Sequence, residues 1–157
     1  MNDAPTRMDE VWKPSVTVAA VIERDGAFLL VEEEAHGQIV FNQPAGHWER
    51  GESLADACAR ETLEETAHHI RPTDLLGVYR WHFPGADVTF LRFAFCGEVV
   101  GHEPQRALDR EIRRAVWLTP EEIRGLRDRH RSPLVLACVD DYLAGRRYPL
   151  GLIRHFE

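Results

Sequence analysis

Short runs of apolar, β-branched residues separated by turns fill the first third of the chain. The runs that we predict to be strands lie at 15–23, 27–32 and 39–42. The first two are joined by Arg24-Asp25-Gly26, and an Asp-Gly turn between such runs is typical of a β-hairpin. His36-Gly37 marks a second turn. Residues 43–51 contain Pro44 and two glycines, so we expect a loop there rather than regular structure.

A helix is predicted to follow this loop. Ser53 can cap its first turn, together with Asp56 three residues later, and helix-forming residues continue to about Ala67. Pro72 prevents the helix from extending much further. The later strands are predicted at 75–83, 87–100 and 114–118, and the later helices begin at Thr119-Pro120 and at Ser132-Pro133, the second running to about Leu143.

The charges of the first helix are unfavourably placed. Glu61, Glu64 and Glu65 lie within one arc of roughly 100° near its C-terminal end. Acidic residues at this end oppose the helix dipole, and Glu61 and Glu65 form a like-charge i, i+4 pair. The opposite side, with Ala55, Ala59, Thr62 and Leu63, is expected to face the core. A divalent cation would convert this repulsion into binding, and Mg²⁺ prefers such carboxylate oxygens. The spacing alone is also typical of a solvated helix face.

The residues on either side of these glutamates decide between the two interpretations. Residues 46–68, GHWERGESLADACARETLEETAH, resemble the signature of the MutT-type Nudix hydrolases, G-x5-E-x7-R-E-U-x-E-E-x-G-U, with U apolar. Six fixed positions fall at the required spacing, namely Gly46, Glu52, Arg60, Glu61, Glu64 and Glu65. Thr62 and His68 depart from the pattern where an apolar residue is usual, and Ala67 replaces its last glycine.

This resemblance implies a fold, a cofactor and roles for individual residues. The implied fold is α/β, a mixed sheet between helices in an α/β/α sandwich. Glu61 and Glu65 would be direct ligands of Mg²⁺, for which Mn²⁺ can substitute, and Glu64 would bind directly or through water. The Ala45 carbonyl would be a backbone ligand. Arg60 would orient a neighbouring glutamate, Glu52 would support the junction of loop and helix, and one carboxylate would deprotonate the attacking water.

The implied activity is hydrolysis of a phosphoanhydride in a small organic di- or triphosphate. The segments VTVAAVI, FNQPAGH, FLRFAF and RRYPL extend the similarity, over nearly the whole chain, to family members that act on thiamine-precursor pyrophosphate and on nucleoside tri- and diphosphates, releasing orthophosphate. An alternative is a pyrophosphohydrolase of ADP-ribose, for which Pro84 is a weak signal. An alternative of another class is a non-catalytic nucleotide-binding regulator.

Further site residues are predicted outside the glutamate cluster. Glu111 is a candidate for an additional metal ligand or base, and an ordinary loop charge is the competing interpretation. The candidates for substrate binding are Gln43 and His47 beside the loop, Trp81 as a stacking surface with Tyr79 and His82, and Arg92, with Arg131 as a possible neighbour, for a phosphate. Aromatic residues in a strand are more often core.

Composition limits the remaining possibilities. The net charge of −7 argues against a nucleic-acid partner. The three cysteines are far apart, which favours reduced thiols in a cytoplasmic protein. No apolar stretch is long enough for a membrane span. We expect one domain over residues 1–157, with an N-terminal arm at 1–14 and a C-terminal tail at 145–157, acting as a monomer or homodimer on a small phosphorylated molecule.

Overall fold

Two β-sheets form the centre of the structure, a computed structural model that describes residues 11–157. Most of the expected N-terminal arm, residues 1–10, lies outside the described residues. The strands are β1 (Ser15–Val21), β2 (Glu23–Arg24), β3 (Ala27–Ala35), β4 (Gln38–Asn42), β5 (Ala45–His47), β6 (His68–Phe83), β7 (Val88–His102) and β8 (Ile112–Leu118).

The first sheet is mixed and has the strand order β5-β1-β7-β6. Strand β1 runs parallel to β7, while the β1–β5 and β6–β7 pairs are antiparallel. Residues Val18 to Val21 of β1 are buried on both faces, as expected for a strand covered from both sides. In the second sheet, β3 pairs with β2 and β4 and with β8, all antiparallel.

Within residues 11–157, three α-helices cover the first sheet. They are α1 (Leu54–Thr66), α2 (Pro120–Gly125) and α3 (Leu134–Leu143). One apolar cluster joins β1 and Phe95 of β7 to Leu54 and Cys58 of α1. The other joins the opposite face of β1 and β7 to Ile123 of α2 and Val135 of α3. The chain therefore has the predicted α/β/α architecture with a mixed sheet.

The orientation of α1 corrects one expectation. Its inward face carries Leu54, Ala57 and Cys58, and further along the same face Glu61 and Glu65 are buried as well. Thr62 is buried and Ala55 and Ala59 pack against the core, as expected, but the burial of Glu61 and Glu65 shows that the carboxylate side is not separate from the inward face. The first half of this face packs on the sheet, whereas the second half faces β5, so carboxylates replace apolar residues there.

Two element boundaries also differ from prediction. The segment predicted as pure loop contains β5, because the glycine-containing stretch pairs with β1 as a short edge strand. Strand β6 begins at His68 instead of residue 75. This early start is possible because Ala67 ends α1 in the left-handed conformation, with φ of 59°, and turns the chain within one residue. Pro72 is tolerated because β6 lies at the sheet edge and its register shifts there.

The C-terminal segment returns to the sheet. The backbone of Tyr148 exchanges hydrogen bonds with Leu75 of β6 at 2.8 and 2.9 Å, and Leu150 and Ile153 pack against the apolar cluster below α1. Among residues 11–157, no helix has both the length and the apolar character that a bilayer crossing requires.

Candidate active site

The loop before α1 brings the chain backbone against the glutamates of the helix. Ser53 caps α1 by accepting a hydrogen bond from the Asp56 N–H at 3.0 Å, which fixes where the helix begins. Gly46 of β5 lies against the end of the Glu61 side chain. A Cβ atom at position 46 would lie 2.1 Å from Glu61 Cδ, so only glycine allows this approach.

Three carboxylates converge beside this loop. Glu61, Glu64 and Asp109 each present an oxygen, and these oxygens all lie within 4.8 Å of one another. Asp109 belongs to the loop between β7 and β8, and its N–H donates to the Glu64 carbonyl at 3.0 Å. This backbone bond anchors the loop to the end of α1 and holds the Asp109 side chain beside the two glutamates.

Glu65 lies deeper than the other glutamates. Its Oε1 accepts a hydrogen bond from the Ala45 N–H at 2.8 Å, and the residue is 7% exposed. Burial raises the pKa of Glu65 to about 9, with the negative charges of Glu33, Glu61 and Asp109 adding to the shift and the Ala45 hydrogen bond opposing it. Without a bound cation, this site therefore favours a protonated Glu65.

Glu61 is subject to opposing influences. Burial raises its pKa, and the charges of Glu64 and Asp109 act in the same direction. Arg60 acts against them, because its guanidinium donates to Glu61 Oε1 at 2.8 Å. Together, Glu61 and Glu65 form a desolvated pair of acids that is costly to ionise without a positive charge nearby.

Arg60 connects the loop to the helix. Its Nε and one terminal nitrogen donate to the two oxygens of Glu52 at 2.9 and 2.7 Å, a bidentate pairing. The same guanidinium donates to the His47 carbonyl at 3.0 Å and to Glu64 at 3.3 Å. The Arg60 hydrogen bonds lower the pKa of Glu52, assisted by the Glu49 N–H, so that Glu52 is a firm anchor for this network.

The predicted phosphate and substrate residues occupy different environments. Arg92 and Gln43 are buried together, with Arg92 donating to Gln43 Oε1 at 3.0 Å and to Asn42 Oδ1 at 3.1 Å. Gln43 in turn donates to the Val135 carbonyl at 2.8 Å. This network ties the end of β4 to β7 and α3, so both side chains have protein partners rather than open positions at a surface.

Among residues 11–157, the side chains of His47, Trp81 and Glu111 form no hydrogen bond or ion pair with the clustered carboxylates. His47 is exposed and its ring contacts Ser15 Oγ at 3.1 Å. Trp81 stacks on Phe83 and Phe90, with ring centroids 5.4 and 5.8 Å away, at the far end of the β6–β7 hairpin. Glu111 is exposed and is not part of the three-carboxylate group.

Two acidic residues near the site were not singled out from the sequence. Asp109, two residues before Glu111, is the loop acid that the structure brings to the glutamates. Glu33 is buried on β3, pairs with Arg131 at 2.6 Å, and acts electrostatically on Glu65. An isolated loop acid carries no periodic signal, but Glu33 follows a continuous buried run of β3, where a charged residue is unusual.

The donor set of this site fits a hard divalent cation. It offers carboxylate oxygens from Glu61, Glu64, Glu65 and Asp109. Within a β-strand, the N–H and C=O of one residue point to the same side. Since the Ala45 N–H points to Glu65, its carbonyl also lies on the α1 side. Oxygen-only donors with several negative charges suit Mg²⁺ or Mn²⁺ and are a poor match for soft metals.

Comparisons with known proteins agree with this geometry. The family model of the NUDIX domain matches residues 12–137. The phosphatase NudJ of Escherichia coli strain K12 is 40% identical over 147 residues, which cover 94% of this chain and 95% of NudJ. The structure of a NUDIX hydrolase from Nitrosomonas europaea superposes with a TM-score of 0.90 at 52% identity, covering 92% of this chain and 98% of that one.

A more distant structure shares the fold alone. The ADP-ribose pyrophosphatase of Streptococcus suis 89-1591 superposes with a TM-score of 0.64 at 17% identity, covering 92% of this chain and 97% of that one. Similar architecture at this level of identity does not transfer a substrate.

Proposed function

This chain belongs to the Nudix hydrolase family, and on that premise we propose that it uses Mg²⁺ to hydrolyse a phosphoanhydride in a small organic di- or triphosphate. The observation that carries the proposal is the convergence of Glu61, Glu64 and Asp109 beside the buried Glu65. These residues belong to two separate segments, and their mutual repulsion has no structural benefit without a cation.

The residues that would hold the cation are Glu61, Glu64, Glu65 and the Ala45 carbonyl, with Asp109 in place of Glu111. A bound Mg²⁺ would withdraw charge from the phosphate oxygens and lower the pKa of coordinated water. Phosphoryl transfer otherwise demands mostly positioning and charge neutralisation from the protein.

The chain's own residues would position the reactants and accept a proton. One of the clustered carboxylates takes the proton of the attacking water. Arg60 fixes Glu61 and Glu64 relative to the loop through its hydrogen bonds to Glu52 and the His47 carbonyl. Gly46 allows Glu61 to approach the backbone closely.

We propose orthophosphate as a product, with thiamine-precursor pyrophosphate and nucleoside tri- and diphosphates as substrates. Support comes from the sequence similarity to a phosphatase over nearly the full length of both proteins. The ADP-ribose alternative has less support, because Pro84 is accounted for by the β6–β7 turn, in which its carbonyl accepts from the Asp87 N–H. A non-catalytic regulator is disfavoured because the signature residues Glu52 and Arg60 are present, together with Glu61, Glu64 and Glu65.

We further propose that residues 1–157 act as a single catalytic domain in the cytoplasm. The tail from residue 145 packs against β6, and the three cysteines are buried free thiols, as is common in reducing compartments.

Product analysis tests the proposed activity. The purified chain is incubated with Mg²⁺ and each of three substrates: the thiamine-precursor pyrophosphate, a nucleoside triphosphate and ADP-ribose. We expect orthophosphate from the first two. We also expect that Glu65→Gln lowers kcat by about 10²- to 10⁴-fold, the usual contribution of a proton-transfer group. The exposed Glu34→Gln is the matched control and should be unaffected.

Two results would contradict the proposal. AMP and ribose phosphate from ADP-ribose, without orthophosphate from the other substrates, would establish the alternative activity. Near-full turnover by the Glu65→Gln variant at saturating Mg²⁺ would refute the assignment of Glu65 to the active site.

A further inference from the structure

A cavity lies behind the C-terminal end of α1. It has a volume of about 470 Å³, and its walls come from the end of α1, the start of β6, the end of β7, the loop that follows β7, and β8. None of the clustered carboxylates Glu61, Glu64, Glu65 and Asp109 lines it. It is therefore distinct from the site described above.

The walls of this cavity are rich in positive charge. Arg24, Arg106, Arg113 and Arg114 all line it, in a chain whose net charge is −7. An acidic protein does not require clustered guanidinium groups to remain soluble. The planar guanidinium of arginine can donate two hydrogen bonds at once to phosphate oxygens.

Neighbouring carboxylates neutralise only part of this charge. Glu32 forms salt bridges with both Arg113 and Arg114, at 3.9 and 2.8 Å, and Glu103 forms one with Arg106 at 3.8 Å. Arg24 stacks over the Trp117 ring at 4.2 Å, and within residues 11–157 it has no carboxylate at salt-bridge distance. In the part of the chain that the structure describes, these four guanidinium groups thus have two carboxylates at salt-bridge distance.

Two stacked histidines also line the cavity. His68 is buried and stacks on His102, with ring centroids 4.2 Å apart and planes 14° from parallel. Burial lowers the pKa of His68, the hydrogen bond to the Thr66 carbonyl opposes this shift, and the nearby His102 and Arg24 lower the pKa further. His68 also departs from the family pattern, which has an apolar residue there. An anion would stabilise this arrangement.

We propose that this cavity is an anion site for a phosphate-bearing ligand, held by Arg24 and Arg106 beside the His68–His102 pair. Its volume lies within the range of small-ligand pockets and exceeds the need of one phosphate, so it admits orthophosphate or a small phosphate monoester. Orthophosphate and a phosphate monoester would both present negatively charged phosphate oxygens to the arginines.

The site borders the loop that carries Asp109. Pro104, Arg106 and Leu108 of this loop line the cavity, while Asp109 points to Glu61 and Glu64 on the other side of the loop. The site is therefore adjacent to the catalytic carboxylates without sharing their side chains.

Nuclear magnetic resonance of the histidine rings tests the proposal on the full chain in EDTA. Inorganic phosphate and AMP, which has no phosphoanhydride, are titrated separately, and the His102 signal is assigned by its loss in His102→Gln. We expect a saturable shift of the His102 signal. Arg24→Ala and Arg106→Ala should each weaken the apparent affinity about tenfold. Arg71→Ala, an exposed arginine of β6 that pairs with Glu98 outside the cavity, is the matched control and should leave it unchanged.

The possible outcomes distinguish the two ligands from each other and from a failure of the proposal. A shift with phosphate alone identifies orthophosphate as sufficient, and a shift only with AMP identifies a phosphate ester. The absence of a saturable shift with either probe overturns the proposal. Affinity unchanged in both arginine variants, or lowered equally in Arg71→Ala, also overturns it. Thermal unfolding confirms that each variant is folded, and Arg106→Ala preserves the test if the loss of the Arg24–Trp117 contact unfolds the chain.

Discussion

Replacing Glu65 by glutamine should stabilise the cation-free protein at alkaline pH. The folded-state pKa of Glu65 is about 9, against an ordinary value of 4.5. Because the folded value is the higher one, the bound proton contributes stability that is complete below about pH 4.5 and is lost as the pH rises towards 9. Glutamine imitates the protonated acid and can still accept from the Ala45 N–H.

The expected magnitude follows from this shift. One pKa unit corresponds to about 1.4 kcal/mol, so between about pH 5 and pH 8 the wild type should lose about 4 kcal/mol relative to Glu65→Gln. Urea unfolding in EDTA at the two pH values measures this difference. Saturating Mg²⁺ should reverse the order at pH 8, because the wild type gains the free energy of cation binding and the variant lacks a ligand.

A neighbouring variant provides the control. Glu64→Gln removes the charge of the residue next to Glu65. The Glu64 side chain is 32% exposed and pairs with Arg60 at 3.3 Å. The stability of this variant relative to the wild type should change little between the two pH values. If the difference between Glu65→Gln and the wild type were the same at both, the argument from buried charge would be refuted.

Three other substitutions probe the loop, the end of the helix and the acid that follows β7. Gly46→Ala should cost little stability but lower kcat by about 10²-fold, because its Cβ would displace the flexible Glu61 carboxylate; unchanged phosphate release would contradict this. Ala67→Gly should raise the free energy of unfolding by about 1 kcal/mol, because φ of 59° suits glycine, and a lower urea midpoint would count against the cap. Asp109→Asn should weaken Mg²⁺ binding in calorimetry more than Glu111→Gln does, and the reverse order would restore Glu111.

Local patterns predicted most elements because they report on neighbours in the chain. The strands at both ends of the Asp25-Gly26 turn, the Ser53 cap and the helix start at Thr119-Pro120 all depend on residues within four positions of one another. The family signature likewise placed the glutamates on a helix after a loop, and the α/β/α fold class was confirmed.

Long-range packing explains what the sequence left undetermined. The pairing of β5 with β1 and the inward rotation of Glu61 and Glu65 depend on segments far apart in the chain. Asp109 reaches the glutamates through a backbone bond to Glu64, which no spacing rule anticipates. Arg92 and Gln43 looked like polar residues available to a substrate, but they satisfy each other inside the protein.

The position of Arg60 bears on how readily a cation can enter and leave. Its guanidinium lies within the negative field of the site, in contact with Glu61 and Glu64. A cation held by these carboxylates would compete with this internal counter-charge, which would lower the net free energy gained on binding. Without the cation, the same guanidinium would pair with Glu61 and Glu64. Arg60 thus supplies an internal counter-ion for these carboxylates, which would favour rapid exchange of the cation over its permanent retention.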